Sequence, residues 1–440
     1  MTEKDQADAI VEQCGRFIKY CGTLGWLTYN YGNGCWTSEF DETVVVEIVK
    51  DFAEQRRAGA QNNEEEKFAK TLLTNHSVNA VLNLIKTNSD IKKNHDEFDT
   101  DPYTINCHGE LWDLRTAAMR ETAPEDFVTK TTRFKADSGK PVTYFSRFLT
   151  QITGKDGQPR IELGQWLLYF FGYCLSGVTS AQFFVNFHGK GNNGKSVLLI
   201  LMLKIFGDYG ALLSRDIVIE NKYQSSFDNA ALPGVRFAAL IDAPDGVLNM
   251  NQLKSIVAGD EINAKRKFKP DFKFFPVCKI AIGSNPHLKL RETGFAVQRR
   301  IRLVPFDYTV PDGEEDPALL DKLLEEGEGI TGLLVQMCKK YFDAGGGPSA
   351  FPPCDVVDKA SADYLKSEDK VRLYVDARVE KKEGGEVKAQ ELYNDYVKWE
   401  QEQGNKPMSG RTFGRRVGEL VKSRDRKNDG YIYKEIAIRQ

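Results

Sequence analysis

The stretch 189-GKGNNGKS-196 has the form G-x-x-x-x-G-K-[ST] and lies between the apolar runs 183-FFVNF-187 and 197-VLLILMLKIF-206. A buried strand, a glycine-rich turn and a helix in that order are the setting a phosphate-binding loop needs, and they commit this part of the chain to an α/β fold. Gly189, Gly191 and Gly194 let the backbone turn tightly, so that successive N–H groups point inward at the positive end of the helix dipole. Lys190, Asn192 and Asn193 fill the variable positions of the loop. On this reading Lys195 reaches the β- and γ-phosphates of ATP, and the Ser196 hydroxyl ligates Mg²⁺.

The 440 residues correspond to about three domains, each able to bury a core of its own. The net charge is only -3, so any contact with nucleic acid must come from local basic patches. The N-terminus 1-MTEKDQADAIVEQ-13 lacks a basic-then-apolar signal, and the longest apolar stretch, 166-WLLYFFGYCL-175, covers about half a membrane span. The expectation is a soluble cytoplasmic chain with no membrane partner. Cys14, Cys21, Cys35, Cys107, Cys174, Cys278, Cys338 and Cys354 form no C-x-x-C and no pairing with the histidines, so burial explains them better than a zinc site.

Pattern divides the chain. Residues 1–140 mix amphipathic helices such as 43-TVVVEIVKDFAEQ-55 and 77-SVNAVLNLIKTN-88 with short strands around Trp26, Trp36 and Trp112. Residues 141–344 begin with helices over 144–153 and 161–177, continue through the ATPase core to 303-LVPF-306, and end with an acidic stretch and the helix 330-ITGLLVQMCKKYFDA-344. Gly345-Gly346-Gly347-Pro348 and Pro352-Pro353 mark a linker over 345–366, before a last domain over 367–440.

The segments downstream of the loop narrow its use. The strand 235-VRFAALID-242 ends in Asp242, placed to hold a Mg²⁺ water shell opposite Ser196. The strand 279-KIAIGSN-285 ends in Asn285, which either orients the attacking water and senses the γ-phosphate or is simply turn chemistry. In 298-QRRIRLVPF-306, Arg299 and Arg300 precede a strand; they are either a solvated basic pair or an arginine finger supplied across a subunit boundary.

The order of these parts from Gly189 to Phe306 resembles the core of superfamily 3 helicases, and more closely that of the poxvirus and phage/plasmid primase-helicase branch. The Leu-Asn and Gly-Asp elements of 248-LNMNQLKSIVAGDEINAKRKFK-269, the Arg-Arg pair before Pro-Phe, and the segments 98-FDTDPYTINCHGELWDLRT-116 and 171-FGYCLSG-177 carry the resemblance. It implies an AAA+-like ATPase core that binds ATP and Mg²⁺ through Lys195 and Ser196. It also implies Asp242 as the second-motif acid, Asn285 as the sensor, and Arg300 as the finger with Arg299 beside it. One departure is that Ala243 follows Asp242 where many relatives carry a second acid; Asp245 is the next acid and is assigned as the general base, which leaves slow hydrolysis open. Gln298 also stands where the branch often has an aromatic residue.

The segment 264-AKRKFKPDFKF-274 interleaves cations with an aromatic, as a loop tracking a nucleic-acid backbone does; the plainer alternative is an exposed basic turn. The resemblance implies a hairpin lining a central channel, with Lys265, Arg266, Lys267, Phe268 and Lys269 on DNA and Lys267 driving translocation. After the linker, the helix 388–403 carries Leu392, Tyr396 and Trp399 at core spacing. Ser409 then caps a basic helix with Arg411, Arg415, Arg416 and Lys422, and an Asp429-Gly430 turn leads into 431-YIYKEIAI-438. This reads as a winged helix whose basic helix and 424-RDRK-427 meet duplex DNA.

The overall expectation is an α/β protein with a mixed α/β N-terminal, collar-like domain, an AAA+-like P-loop core and a C-terminal winged helix. It would act as a homo-oligomeric ring, six-membered by family analogy, on single-stranded and forked DNA, travelling 3′ to 5′ in the replication of a phage, plasmid or mobile element. Any priming would come from a separately encoded primase or polymerase. The alternatives are an origin-binding initiator that uses ATP to oligomerise, and a DNA-packaging ATPase without processive unwinding.

Overall fold

The computed structural model describes residues 2–39, 42–221, 227–265, 271–421, 424–427 and 430–439. At its centre five parallel strands lie in the order Ile301–Pro305, Phe184–His188, Lys279–Ser284, Phe237–Ala243, Gly210–Leu212. Both faces of this sheet are covered, which is why its strands read as continuous apolar runs. Alternation along each strand sends Val185 and Phe187 into the apolar cluster on one face and Phe184 into the cluster on the other.

The first cluster is built on the helices Ile161–Cys174, Lys195–Phe206 and Gly327–Asp343. The apolar stretch at 166–175 belongs here, with Leu167, Phe170 and Phe171 fully buried. Among the described residues no helix is long and apolar enough to cross a membrane. Gly172 lets two of these helices meet closely: a Cβ there would stand 2.7 Å from the Met337 Cβ and 2.8 Å from the Cys338 nitrogen. Two buried cations join that helix end to the sheet, since Arg236 donates to the Leu175 carbonyl at 2.6 Å and Lys279 donates to the Ser176 carbonyl. Cations at a helix C-terminus satisfy carbonyls that have no partner within the helix. All eight cysteines are free and buried.

Two divisions differ from those expected. The boundary at residue 140 cuts through the first cluster, because Ile105, Cys107, Leu114 and Ala136 pack into it. Most of residues 1–100 form separate cores around a four-stranded sheet that holds Trp26 and Trp36. The span 345–366 is not wholly linker either: Asp355–Ser367 is a helix with Val357, Ser361 and Tyr364 buried along one face. It packs on the edge strand of the central sheet, where the Ser361 hydroxyl accepts from the Leu303 N–H at 2.9 Å. The glycines and prolines before it signal a break in the chain, and the i, i+4, i+7 pattern after them signals a packed helix.

Residues 370–438 carry the helices Lys370–Arg378, Ala389–Glu402 and Gly410–Val421 and a three-stranded antiparallel sheet of Val379–Lys388, Gly430–Ile438 and Arg424–Lys427. Leu392, Tyr396, Phe413 and Val417 form its core.

Candidate nucleotide site

The glycine-rich loop leaves the end of the strand Phe184–His188, and the helix Lys195–Phe206 begins within it. Gly194 caps that helix with φ at 78°, a left-handed conformation that favours glycine. Gly189 is required for a different reason: a Cβ there would stand 2.3 Å from the Asn193 amide and 2.4 Å from the Phe306 carbonyl. The Asn193 side chain donates to that carbonyl at 3.2 Å, fixing the loop against the neighbouring strand.

Lys195 turns back over the loop. Its Nζ donates to the Gly189 carbonyl and the Asn193 Oδ1, both at 2.9 Å, and to the Asn285 Oδ1 at 3.1 Å. Asn285 follows the C-terminal end of the adjacent parallel strand, 90 positions along the chain, so the fold brings together the two residues that the sequence could only align by order. Burial pushes the Lys195 ammonium down to about 8, while the nearby Asp242 charge raises it. Ser196, in the first helical turn, and Asp242, near the end of its strand, are both exposed. The Ser196 hydroxyl and the Asp242 carboxylate are the oxygen donors that would hold Mg²⁺ here, and amides at a helix start beside a lysine suit a polyphosphate.

The other expected residues are distributed differently. Asp245 sits on the turn after Asp242 and pairs with Lys289 at 3.3 Å. Arg299 and Arg300 lie at the opposite end of the sheet from the loop, the Arg300 carbonyl accepting from the N–H of Phe184 at the start of the loop's strand. Five residues of extended chain, about 16 Å, separate the two ends, so neither arginine meets the loop of its own chain. Arg300 is partly buried, with NH1 on the Ala296 carbonyl at 2.9 Å and Nε without a hydrogen-bond partner. Desolvation and the Arg299 charge hold its guanidinium below the ordinary value.

Lys265 pairs with Asp271 at 3.1 Å beside two strands, Ile262–Ala264 and Phe272–Phe274, that pair antiparallel. Arg266, Lys267, Phe268 and Lys269 lie outside the described residues, as do Lys422 and Asp429. Arg411 and Arg415 are exposed on the helix Gly410–Val421 and share a groove with Arg424 and Tyr431, whose ring lies 3.6 Å from the Arg424 guanidinium. Arg416 differs from both: it is held between Asp369 and Glu419, each at 2.5 Å, with its side chain 20% exposed. This placement removes it from the candidate DNA surface.

Sequence reading missed a ring stack beside the loop. The His188 and His287 rings stack at 3.8 Å, and Tyr364 stacks on His287 at 5.8 Å. Burial, His287 and Lys195 together push the His188 imidazole down to about 4, which keeps it neutral near pH 7. No local pattern announces this stack, because its members come from separate segments.

A pH dependence arises from Lys195. Below pH 8 its ammonium is already charged, so nucleotide affinity is expected to be flat; above pH 8 binding must take up a proton, and affinity falls by up to about tenfold per pH unit. Titrating fluorescent ADP from pH 7 to 9.5 checks this, with Lys195→Arg expected to flatten the profile.

Residues 7–154 match the family described as D5 N terminal like, and residues 187–300 match a family of unknown function, DUF5906. The chain is 25% identical to "Putative helicase L207/L206" of Acanthamoeba polyphaga mimivirus over 74% of its own length and 38% of that protein. It is 24% identical to "Putative helicase 022R" of Frog virus 3 (isolate Goorha) over 64% of its length and 30% of that protein. With "Putative primase C962R" of African swine fever virus (strain Badajoz 1971 Vero-adapted) it shares 20% identity over 55% of its length and 27% of that protein. The chain thus spans between 27% and 38% of the length of these relatives. In fold it resembles the apo A form of the NrS-1 C terminal region, with a TM-score of 0.51, 11% identity and 97% of each chain covered.

Proposed function

We propose, from the chain's membership of the D5-like primase-helicase family, that it is an ATP-dependent, ring-forming DNA helicase acting in the replication of a virus, phage, plasmid or other mobile element. The observation that carries this reading is the convergence of Lys195 on the loop carbonyl of Gly189 and on Asn285. The sheet order, with the last strand in the chain, Ile301–Pro305, next to the first, Phe184–His188, and Lys279–Ser284, Phe237–Ala243 and Gly210–Leu212 beyond it, is compatible with an AAA+-like core. The names of the relatives support strand separation or priming chemistry, and travel from 3′ to 5′ is carried by family analogy alone.

In this reading residues 189–196 cradle the triphosphate and Ser196 and Asp242 hold Mg²⁺, whose charge offsets that of the β- and γ-phosphates when bound. Asn285 meets the γ-phosphate, and Asp245 is the acid proposed to activate water. Arg300, with Arg299 beside it, serves the site of a neighbouring copy, because strand length keeps it from its own. Lys265, Arg266, Lys267, Phe268 and Lys269 grip the translocated strand. Arg411 and Arg415 contact duplex DNA from a winged-helix domain.

The test is a forked DNA duplex incubated with the full chain. Strand separation that requires ATP is expected, together with ATP turnover stimulated by single strands. ATP turnover without separation would favour an initiator or a packaging ATPase. The C-terminal surface makes a separate expectation. Replacing Arg411 and Arg415 by alanine should weaken duplex binding and reduce the salt slope by about two. Arg416→Ala should leave the slope unchanged but lower stability by about 1–3 kcal/mol, since it strands the nearly buried Asp369. Salt-dependent binding curves and denaturant melts separate the two effects.

A further inference from the structure

Sheet order constrains the direction in which a nucleotide lies. Asn285 and Asp242 end strands on one side of the strand Phe184–His188, so a γ-phosphate met by Lys195 and Asn285 belongs on that side. The α-phosphate, ribose and base are then directed to the other side, toward the strand Ile301–Pro305 and the segment after it.

Three segments close on the loop from that side. Asn192 exchanges two hydrogen bonds with Val310: its carbonyl accepts from the Val310 N–H at 2.7 Å, and its amide donates to the Val310 carbonyl at 3.2 Å. The helix Thr143–Ile152 ends against the loop, where a Cβ on Gly194 would stand 2.4 Å from Ile152. The last turn of that helix is tied to the same segment by Gln151, which donates to the Tyr308 hydroxyl at 2.5 Å, and the start of the next helix by Arg160, whose NH2 donates to Asp307 at 2.8 Å. Tyr308 is half-buried. The remaining terminal nitrogen of Arg160, NH1, is buried without a hydrogen-bond partner among the described residues. A buried guanidinium N–H without an acceptor is costly, and a ligand atom would satisfy it.

We propose that Tyr308 and Arg160 form the nucleoside subsite of this site: the Tyr308 ring packs on the base and ribose, and the Arg160 NH1 donates to a nucleoside acceptor. The proposal rests on the phosphate-loop reading of residues 189–196 and adds to it the residues that distinguish a nucleotide from bare polyphosphate. It also explains why the rim is anchored on both flanks, since a stacking ring that has already lost its rotamer freedom gives up less on binding.

Tripolyphosphate, which has no nucleoside, separates the two readings. In calorimetry on the full chain, Tyr308→Ala is expected to weaken ADP by about tenfold to a hundredfold while leaving tripolyphosphate affinity unchanged. Tyr308→Phe, which keeps the ring and loses the Gln151 bond, should recover most of that loss. Arg160→Gln should weaken ADP selectively in the same way. Equal losses for ADP and tripolyphosphate, or an unchanged ADP affinity in a Tyr308→Ala protein with a wild-type melting curve, would overturn the proposal. A wild-type chain that binds tripolyphosphate but not ADP would overturn it while sparing the loop; one that binds neither would overturn both.

Discussion

Lys195→Ala is expected to reduce ATP turnover by at least about 10²–10³-fold, the loss seen when one preorganised donor to a developing oxyanion is removed, and to abolish unwinding with it. Lys195 is buried inside the loop on three neutral oxygens, so its charge is held in place before any ligand arrives. Electrostatic stabilisation of this kind needs no reorganisation at the moment of reaction. The effect should fall on turnover more than on fold, because alanine preserves the helix start at this position. A steady-state phosphate-release assay with a parallel melting curve checks both parts. Turnover within a few-fold of wild type would remove Lys195 from the chemistry.

The second large effect concerns Arg300. Its replacement by alanine is expected to cost about 10³–10⁵ in turnover, as loss of an arginine finger does, even though the residue sits at the far end of the sheet from its own loop. Distance makes the sharper prediction. In a mixture with Lys195→Ala protein, the Arg300→Ala copies supply intact loops and the Lys195→Ala copies supply intact arginines. With random neighbours in a heterologous ring, about a quarter of the seams are whole, so activity should return to a sizeable fraction of wild type. Two inactive proteins that stay inactive at every ratio would contradict the supply of Arg300 to a neighbouring copy's site.

The features that were legible in the sequence are those with local causes. The loop could be read because strand, glycines and helix are consecutive, and its lysine is found where that order puts it. Burial of the cysteines was likewise legible, since they form no C-x-x-C and no pairing with the histidines. Features made by distant contacts were not legible. Asn285 closing a strand has the same spacing whether it faces a turn or the Lys195 ammonium, and only the adjacency of parallel strands decides between them. Arg411, Arg415 and Arg416 look equivalent as a basic run. The buried stripe through Phe413 and Val417 places Arg416 on its flank, against Asp369 of another helix junction. The linker was read too long because prolines and glycines dominate its beginning, whereas the face formed by Val357, Ser361 and Tyr364 governs its end. His188, His287 and Tyr364 had no signature at all, because stacked rings from separate segments leave no period in the chain.

That catalysis happens between copies of the chain is tested most directly by measuring mass and turnover together. The purified protein, with a non-hydrolysable ATP analogue and Mg²⁺, should run as a multi-chain assembly in light scattering, and its ATP turnover per chain should rise with protein concentration as that assembly forms. A single-chain mass under every nucleotide condition, with turnover per chain independent of concentration, would contradict it.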